Sequence, residues 1–434
     1  MAASAALTAA PKKPNILFIL LDDLGYGDVG CYGQKQIQTP HIDSLAREGT
    51  RFTDAYAGGP VCAPSRCVLM TGLHGGHARV RSNAGTAPIG PEDKTFPLWL
   101  KAQGYVCGGF GKWGLGDAGS PGVPWKHGFD TFFGYLHQVH AHTYFPEFLW
   151  ENDKKVSLGG KAYSADLIAE KSFAFLRANK DRPFFLYATY TVPHGRFQTP
   201  TVTPYEGKDW PEDEKRYAAM VTQGDSYAGR LLGMLREFGL ERDTLVIFAS
   251  DNGGVAGEGH SLETFGTMKL PGGAKLRGQK GTLYEGGLRV PLILRWPGRV
   301  KPSAVSAAPV YFADVFATVM QAVDGKTKKY GDGVSMFESL KKPAAERVMA
   351  WEDHRWVAAT KKLRPEFGMA VRMRNWKAVR EKPGAPLQVF HLKEDPGETR
   401  DVAATSPMTA RLAAAMEAQH TVPSPHIGDM QFVK

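Results

Sequence analysis

The sequence predicts an α/β fold: a large, mostly parallel central sheet with helices on both faces, followed by a small C-terminal antiparallel sheet with a helix. Three observations carry this expectation. Short, uniformly apolar runs, among them Asn15–Leu21 and Thr244–Ser250, have the length of a strand without its alternation, as strands buried on both faces of a parallel sheet do. Between them lie segments of helical period, clearest over residues 213–240, where Tyr217, Met220, Val221, Gly224, Tyr227, Leu231, Leu232, Leu235 and Phe238 fall near helical spacing. From residue 347 the texture changes to short alternating pieces at 369–373, 376–379 and 388–392 with a turn at 395–399, the pattern of an antiparallel sheet.

A chain of 434 residues has room for a large core and a second, smaller unit, and we expect a flexible leader over 1–13, a catalytic α/β domain over 14–346 and a C-terminal subdomain over 347–434. Hydrophobic residues at 43% and charged residues at 22% are ordinary globular values, and no stretch reaches the ~20 apolar residues of a membrane span. The net charge of +9 suits an anionic partner, although lysines such as Lys326, Lys328, Lys341 and Lys361 read as scattered and solvated. No basic helix with interleaved aromatics and no nucleic-acid motif is present, so nucleic acid is not an expected partner. The four cysteines, Cys31, Cys62, Cys67 and Cys107, match no zinc spacing and leave a Cys31–Cys107 bridge open. The Ala-rich leader has neither a basic n-region nor a full hydrophobic h-region.

The first apolar run ends at Asp22-Asp23, where the carboxyl end of a parallel strand places ligand-binding groups. Residues 41–52 show helical spacing with a glycine stop, and lead into Val61-Cys62-Ala63-Pro64-Ser65-Arg66-Cys67-Val68-Leu69-Met70-Thr71-Gly72. Pro64 favours a turn that puts Cys62 at the mouth of a helix with Arg66 one turn on, and a thiol so placed is expected to be acidic and reactive. Residues 95–102 read as a short helix and 105–110 as a strand ending at Gly111-Lys112-Trp113-Gly114-Leu115-Gly116. The next segment holds His137, His140 and His142, with alternation predicting His140 and His142 on one face of an extended stretch.

Residues 182–190 form another buried-strand pattern, ending at Val192-Pro193-His194-Gly195. The run Thr244–Ser250 ends at Asp251-Asn252-Gly253-Gly254, a second oxygen-rich strand exit. Asp22, Asp23, Asp251 and Asn252 together offer only oxygen ligands, which favours calcium or magnesium over zinc. Residues 276–291 are a glycine-rich loop carrying Arg277, Lys280, Glu285 and Arg289, the last two expected to hold the loop together. A strand at 292–296, a helix at 309–323 and a closing helix at 407–420 complete the chain.

Cys-x-Pro-Ser-Arg-x-x-x-x-Thr-Gly at Cys62–Gly72 resembles the signature of the type I, formylglycine-dependent sulfatases of the alkaline phosphatase superfamily. So do Asp22-Asp23, Gly111-Lys112-Trp113, Pro193-His194, Ser250-Asp251-Asn252-Gly253 and the 276–291 loop, and nearly the whole chain after Pro14 is covered. The resemblance, to bacterial arylsulfatases and N-acetylgalactosamine-6-sulfatase-like carbohydrate sulfatases, implies an alkaline-phosphatase-like fold and a sulfuric ester hydrolase. It implies Cys62 oxidised to formylglycine by a formylglycine-generating enzyme or maturase, and Asp22, Asp23, Asp251 and Asn252 around calcium, with magnesium the alternative. Arg66 flanks the nucleophile, Lys112 and Lys280 hold sulfate, and His194 is the general acid. Gly114 departs from the family, which has a histidine there; His140 and His142 are therefore candidate substrate contacts, and Arg277 is a further one. The implied substrate is a sulfated galactose or N-acetylgalactosamine unit of a polysaccharide, and the implied location periplasmic or secreted. Two alternatives stand beside it: a phosphodiesterase or phosphonate monoester hydrolase of the same superfamily, and a non-catalytic sulfated-glycan-binding protein.

Overall fold

The computed structural model of the chain describes residues 13–83, 88–257, 260–342, 346–357 and 362–422. Ten strands form one sheet in the order Ala304–Ser306, Thr50–Phe52, Leu292–Arg295, Thr244–Ser250, Asn15–Leu21, Phe184–Tyr190, Val106–Lys112, Thr131–Tyr135, Phe148–Glu151 and Lys154–Ser157. The five from Thr244–Ser250 to Thr131–Tyr135 run parallel. Leu292–Arg295 is antiparallel to both neighbours, and the Phe148–Glu151 and Lys154–Ser157 hairpin closes the far edge antiparallel.

The uniform apolar runs are explained by two cores. Ile16, Phe18 and Leu20 face one with Leu245 and Ile247, while Leu17, Ile19 and Leu21 face the other with Val246 and Phe248. The first face is covered by the helices Cys62–Thr71 and Ala313–Asp324, the second by Pro40–Glu48, Ser164–Ala178 and Glu212–Glu237. Several predicted elements are split or trimmed, among them three long ones. Residues 41–52 divide at Gly49 into a helix and the strand Thr50–Phe52, 309–323 into the strand Val310–Tyr311 and a helix, and the long helix stops at Glu237.

The register fixes the site. Leu21 pairs with both Ser250 and Tyr190, so Asp22, Thr191 and Asp251 leave the sheet together, and Gly111 pairs with Thr189, bringing Lys112 to the same rim. The second sheet, Val348–Val357, Lys362–Met373, Trp376–Arg380 and Gln388–His391, is antiparallel throughout, and Thr409–Ala418 packs Leu412 and Met416 on it. It is tied to the main sheet by a Trp351 indole N–H to Ala57 O (2.8 Å), an Arg81–Glu352 pair (2.8 Å) and Lys377, which lies 3.0 Å from Glu285 and 2.9 Å from Glu398. All four cysteines are free, so the Cys31–Cys107 bridge does not form.

Candidate active site

The carboxylates converge because of one backbone turn. Adjacent side chains on a strand point apart, but Asp23 adopts φ +64°, a left-handed conformation that Asp tolerates better than most residues, and this swings its carboxylate back beside that of Asp22. Asp23 N–H then donates to Asp251 Oδ1 (3.1 Å), and Asn252 Nδ2 donates to Asp23 Oδ1 (2.7 Å). All four residues are buried.

The helix Cys62–Thr71 begins at the cysteine and ends at Gly72, whose φ of +70° caps it. Its N-cap, Val61, has no side-chain oxygen, so the N-terminal amides are met from elsewhere: Asn83 Oδ1 accepts Ala63 N–H at 2.8 Å. Ser65 Oγ accepts Gly58 N–H (3.0 Å) and donates to Asp251 O, clamping the helix to the metal-side loop. Arg66 gives its donors to groups other than the thiol, with Nη2 also 3.4 Å from Asp22 Oδ2. Its Nε and Nη2 meet Asp251 Oδ2 at 3.1 and 2.8 Å, and Nη1 reaches Lys112 O (2.6 Å) and the Thr189 hydroxyl.

Lys112 instead faces the cysteine, with Nζ 3.3 Å from Cys62 Sγ and 2.6 Å from Asp22 Oδ2. The acidic thiol expected from the sequence is not found. Burial and the Asp22 charge push the Cys62 thiol up to about 12, outweighing Lys112 and Lys280. Burial opposes the charges of Lys112 and Lys280 too, but Asp22 and Asp23 respectively override it and keep both above the ordinary lysine range.

His194 lies across from the cysteine, fixed through its backbone: Tyr144 donates its hydroxyl proton to Thr191 O (2.7 Å) and His194 O (2.9 Å). His194 Nδ1 meets Gly195 O, leaving Nε2 toward the cluster, 3.2 Å from Lys280 Nζ and 3.5 Å from Asp23 Oδ2. Lys280 Nζ is in turn 2.7 Å from Asp23 Oδ2. Burial lowers the basicity of His194 and Lys280 adds to it, against the pull of Asp23.

Of the other candidates, only His142 joins this group, its ring stacked on His194 at 4.3 Å. Burial, with His194 and Lys112 nearby, lowers it to about 3, so it is neutral. The expected shared face with His140 is wrong, because residues 140–142 form a 3₁₀ turn in which positions two apart diverge. His140 packs between Tyr135 (4.9 Å) and Phe148 (4.6 Å). Arg277 is not brought to the cluster: it lies 3.8 Å over the Tyr284 ring and donates to Glu398 O, facing the C-terminal sheet. Tyr144 is buried as a brace. Gly114 has φ +78°, and a Cβ there would sit 1.8 Å from Gln138 Nε2. The segment before His142 thus fills the room a side chain at 114 would need. Asn83, Tyr144 and Thr189 escaped sequence reasoning because single polar residues in loops or strands carry no spacing signal.

The donor set fits a hard divalent cation. Asn252 Oδ1 is buried without a hydrogen-bond partner, and Asp251 is pushed up to about 6 by burial and the Asp22 charge, whereas the lysines hold Asp22 and Asp23 low. Ligand atoms of Asp22, Asp23, Cys62 and His194 all lie within 4.8 Å of one another.

Comparison with known proteins bears on this geometry. The family profile described as Sulfatase matches residues 14–325, and that of the N-sulphoglucosamine sulphohydrolase C-terminal region matches 278–422. Steryl-sulfatase of Mus musculus is 32% identical over 71% of the chain; the alignment spans 62% of that protein, less than two thirds of its length. N-acetylgalactosamine-6-O-sulfatase of Bacteroides thetaiotaomicron is 30% identical over 71% of this chain and 72% of its own. The solved structure of Ps i-CgsB in complex with k-i-k-neocarrahexaose superposes with a TM-score of 0.83, at 29% identity and 96% of both chains. With the profile covering most of its length and the motif residues gathered at one rim of the sheet, the chain belongs to the sulfatase family.

Proposed function

We propose that the protein is a sulfuric ester hydrolase that removes sulfate from a sulfated carbohydrate. The observation that carries the reading is the placement of Cys62 at a helix mouth between Lys112, Lys280 and His194, beside Asp22, Asp23, Asp251 and Asn252. Calcium held by Asp22, Asp23, Asp251 and Asn252 would neutralise charge on the sulfuryl oxygens. Cys62 oxidised to formylglycine by a maturase would supply an oxygen nucleophile that does not end as a stable sulfate ester, whereas the thiol, held up to about 12, is a poor one.

The chain's own residues supply the rest. Lys112 and Lys280 remain ammonium ions and bind the sulfuryl oxygens, stabilising charge as it builds in the transition state. Arg66, spent on Asp251, Lys112 O and Thr189, holds the carboxylate and lysine sides in register rather than acting on sulfate. His194 is the general acid: with its Nδ1 proton held by Gly195 O, Nε2 takes up a proton from solvent and delivers it to the leaving sugar oxygen, and Lys280, beside that nitrogen, sets its orientation. Neutral His142, stacked on the outer face of His194, takes the place of the histidine missing at Gly114 as a contact to the leaving group. A sulfated galactose or N-acetylgalactosamine unit is the substrate, a reading supported by the N-acetylgalactosamine-6-O-sulfatase relative and by the k-i-k-neocarrahexaose of the solved structure. A protein acting on such polymers works in the periplasm or outside the cell.

Mass spectrometry of the tryptic peptide containing Cys62, after co-expression with a formylglycine-generating enzyme, is paired with sulfate-release assays on sulfated galactan oligosaccharides. Conversion to the aldehyde together with sulfate release is expected. An aldehyde-bearing protein that hydrolyses phosphonate or phosphate esters and no sulfate ester would overturn the reading.

A further inference from the structure

A cavity of about 810 Å³ lies at the other end of the sheet. Its wall includes Lys13 and Pro14, which precede the strand Asn15–Leu21, whereas Asp22 follows it. Seven residues of strand separate the two sites by roughly 23 Å. Lys13, Arg299, Lys301 and Lys341 line the cavity with one carboxylate, Asp324, whose oxygens already accept from Lys326 N–H and Thr327 N–H and hydroxyl. Lys341 is paired with Glu338 and Lys13 donates to Gln103 O, but Arg299 and Lys301 are exposed and make no ion pair among the described residues.

Three kinds of group meet there. The two unpaired cations bind anions. The helix Ala313–Asp324 ends in the wall; Gly325 N–H caps Gln321 O, and the carbonyls of Ala322, Val323 and Asp324 have no intrahelical partner. Gln321, on that turn, gives Nε2 to Glu338 (2.8 Å) and keeps a buried Oε1 that no donor meets. Trp296, with the Arg299 guanidinium 5.6 Å over its ring, and Phe337 form an apolar floor. A small inorganic anion would leave the acceptors and floor unused, and a fatty acid would leave the acceptors unmet. A sugar carrying sulfate uses all three, through sulfate oxygens, hydroxyl donors and an apolar ring face.

We propose that this cavity is a second, non-catalytic site for a sulfated oligosaccharide, which holds the polymer while the rim of the sheet acts on it. The inference rests on the sulfated-carbohydrate reading of the active site. The test is calorimetric titration of a sulfated galactan hexasaccharide and its desulfated counterpart into the Cys62→Ala protein, with and without Arg299→Glu/Lys301→Glu. Two binding sites are expected in Cys62→Ala and one after the double substitution. Retention on immobilised sulfated polymer should fall roughly tenfold, the factor for losing two exposed charge contacts. On the otherwise native enzyme, kcat/KM for a monosaccharide sulfate should be unchanged by the double substitution. A single site in Cys62→Ala, equal binding of the desulfated sugar, or no response to Arg299→Glu/Lys301→Glu overturns the proposal. If the matured enzyme releases no sulfate yet the binding lost on double substitution is present, the active-site reading fails and the cavity stands.

Discussion

Replacing Lys377 with Met tests how the C-terminal sheet holds the loop that carries Lys280. Lys377, Glu285 and Glu398 are all buried, with the ammonium 3.0 Å from Glu285 and 2.9 Å from Glu398. Glu285 keeps other partners, Tyr56 at 2.7 Å and Arg289 at 3.2 Å, but Glu398 Oε1 has nothing else. Stripping one member from a buried pair costs about 3–5 kcal/mol. Burial and the Glu285 charge already hold the Glu398 carboxyl up at about 7, against the pull of Lys377. Because this value is raised above the unfolded one near 4.5, the stability it gives is full below about 4.5 and lost as pH rises through about 7. Removing Lys377 raises it further, so the variant goes on losing stability between pH 7 and 8 where the parent has levelled off, about 1.4 kcal/mol for that unit of pH. Urea denaturation should therefore show Lys377→Met destabilised by about 3–5 kcal/mol at pH 8 and by about 1.4 kcal/mol less at pH 6. Adding Glu398→Gln should recover more at pH 8 than at pH 6. A penalty below about 1 kcal/mol, or one equal at both pH values, would refute the reasoning.

Calcium at a hundred times its dissociation constant should stabilise the protein by ~2.7 kcal/mol, a gain that chelation reverses and that Asn252→Leu largely removes, read by thermal denaturation with and without the ion. Gly114→Ala should cost ~1–2 kcal/mol for the left-handed φ alone. Gln138→Ala on that background should return only the part due to the side-chain collision, in the same melts. His142→Ala should lower kcat roughly 100-fold in steady-state sulfate release while formylglycine content by mass spectrometry stays unchanged. A variant at full rate would remove His142 from the leaving-group side.

The central strands were legible in the sequence because burial on both faces leaves no alternation to misread; Asn15–Leu21 and Thr244–Ser250 begin and end where the apolar runs do. The oxygen cluster was legible for a related reason, since each half follows such a run. What failed depended on the third dimension. The acidity of Cys62 was reasoned from neighbours along the helix, but Arg66 spends its donors on Asp251, and the nearest carboxylate, Asp22, comes from a strand forty residues earlier. His140 and His142 were assigned the wrong period over three residues, too short a window for periodicity to decide. Arg277 lies in the same loop as Lys280, yet a turn at Gly278 with φ +77° sends the two in different directions.

The borrowed cap at the cysteine helix ties distant parts of the sequence to one another. Val61 leaves the helix mouth without an oxygen of its own, and Asn83 provides it from a loop whose neighbour Arg81 is bonded to Glu352 of the second sheet. Residues 62, 83 and 352 are therefore linked mechanically. For anyone re-engineering the protein, position 83 is not free: a residue without a hydrogen-bond acceptor there unseats the cysteine on which the chemistry depends, and the loss of activity would be mistaken for a change in specificity.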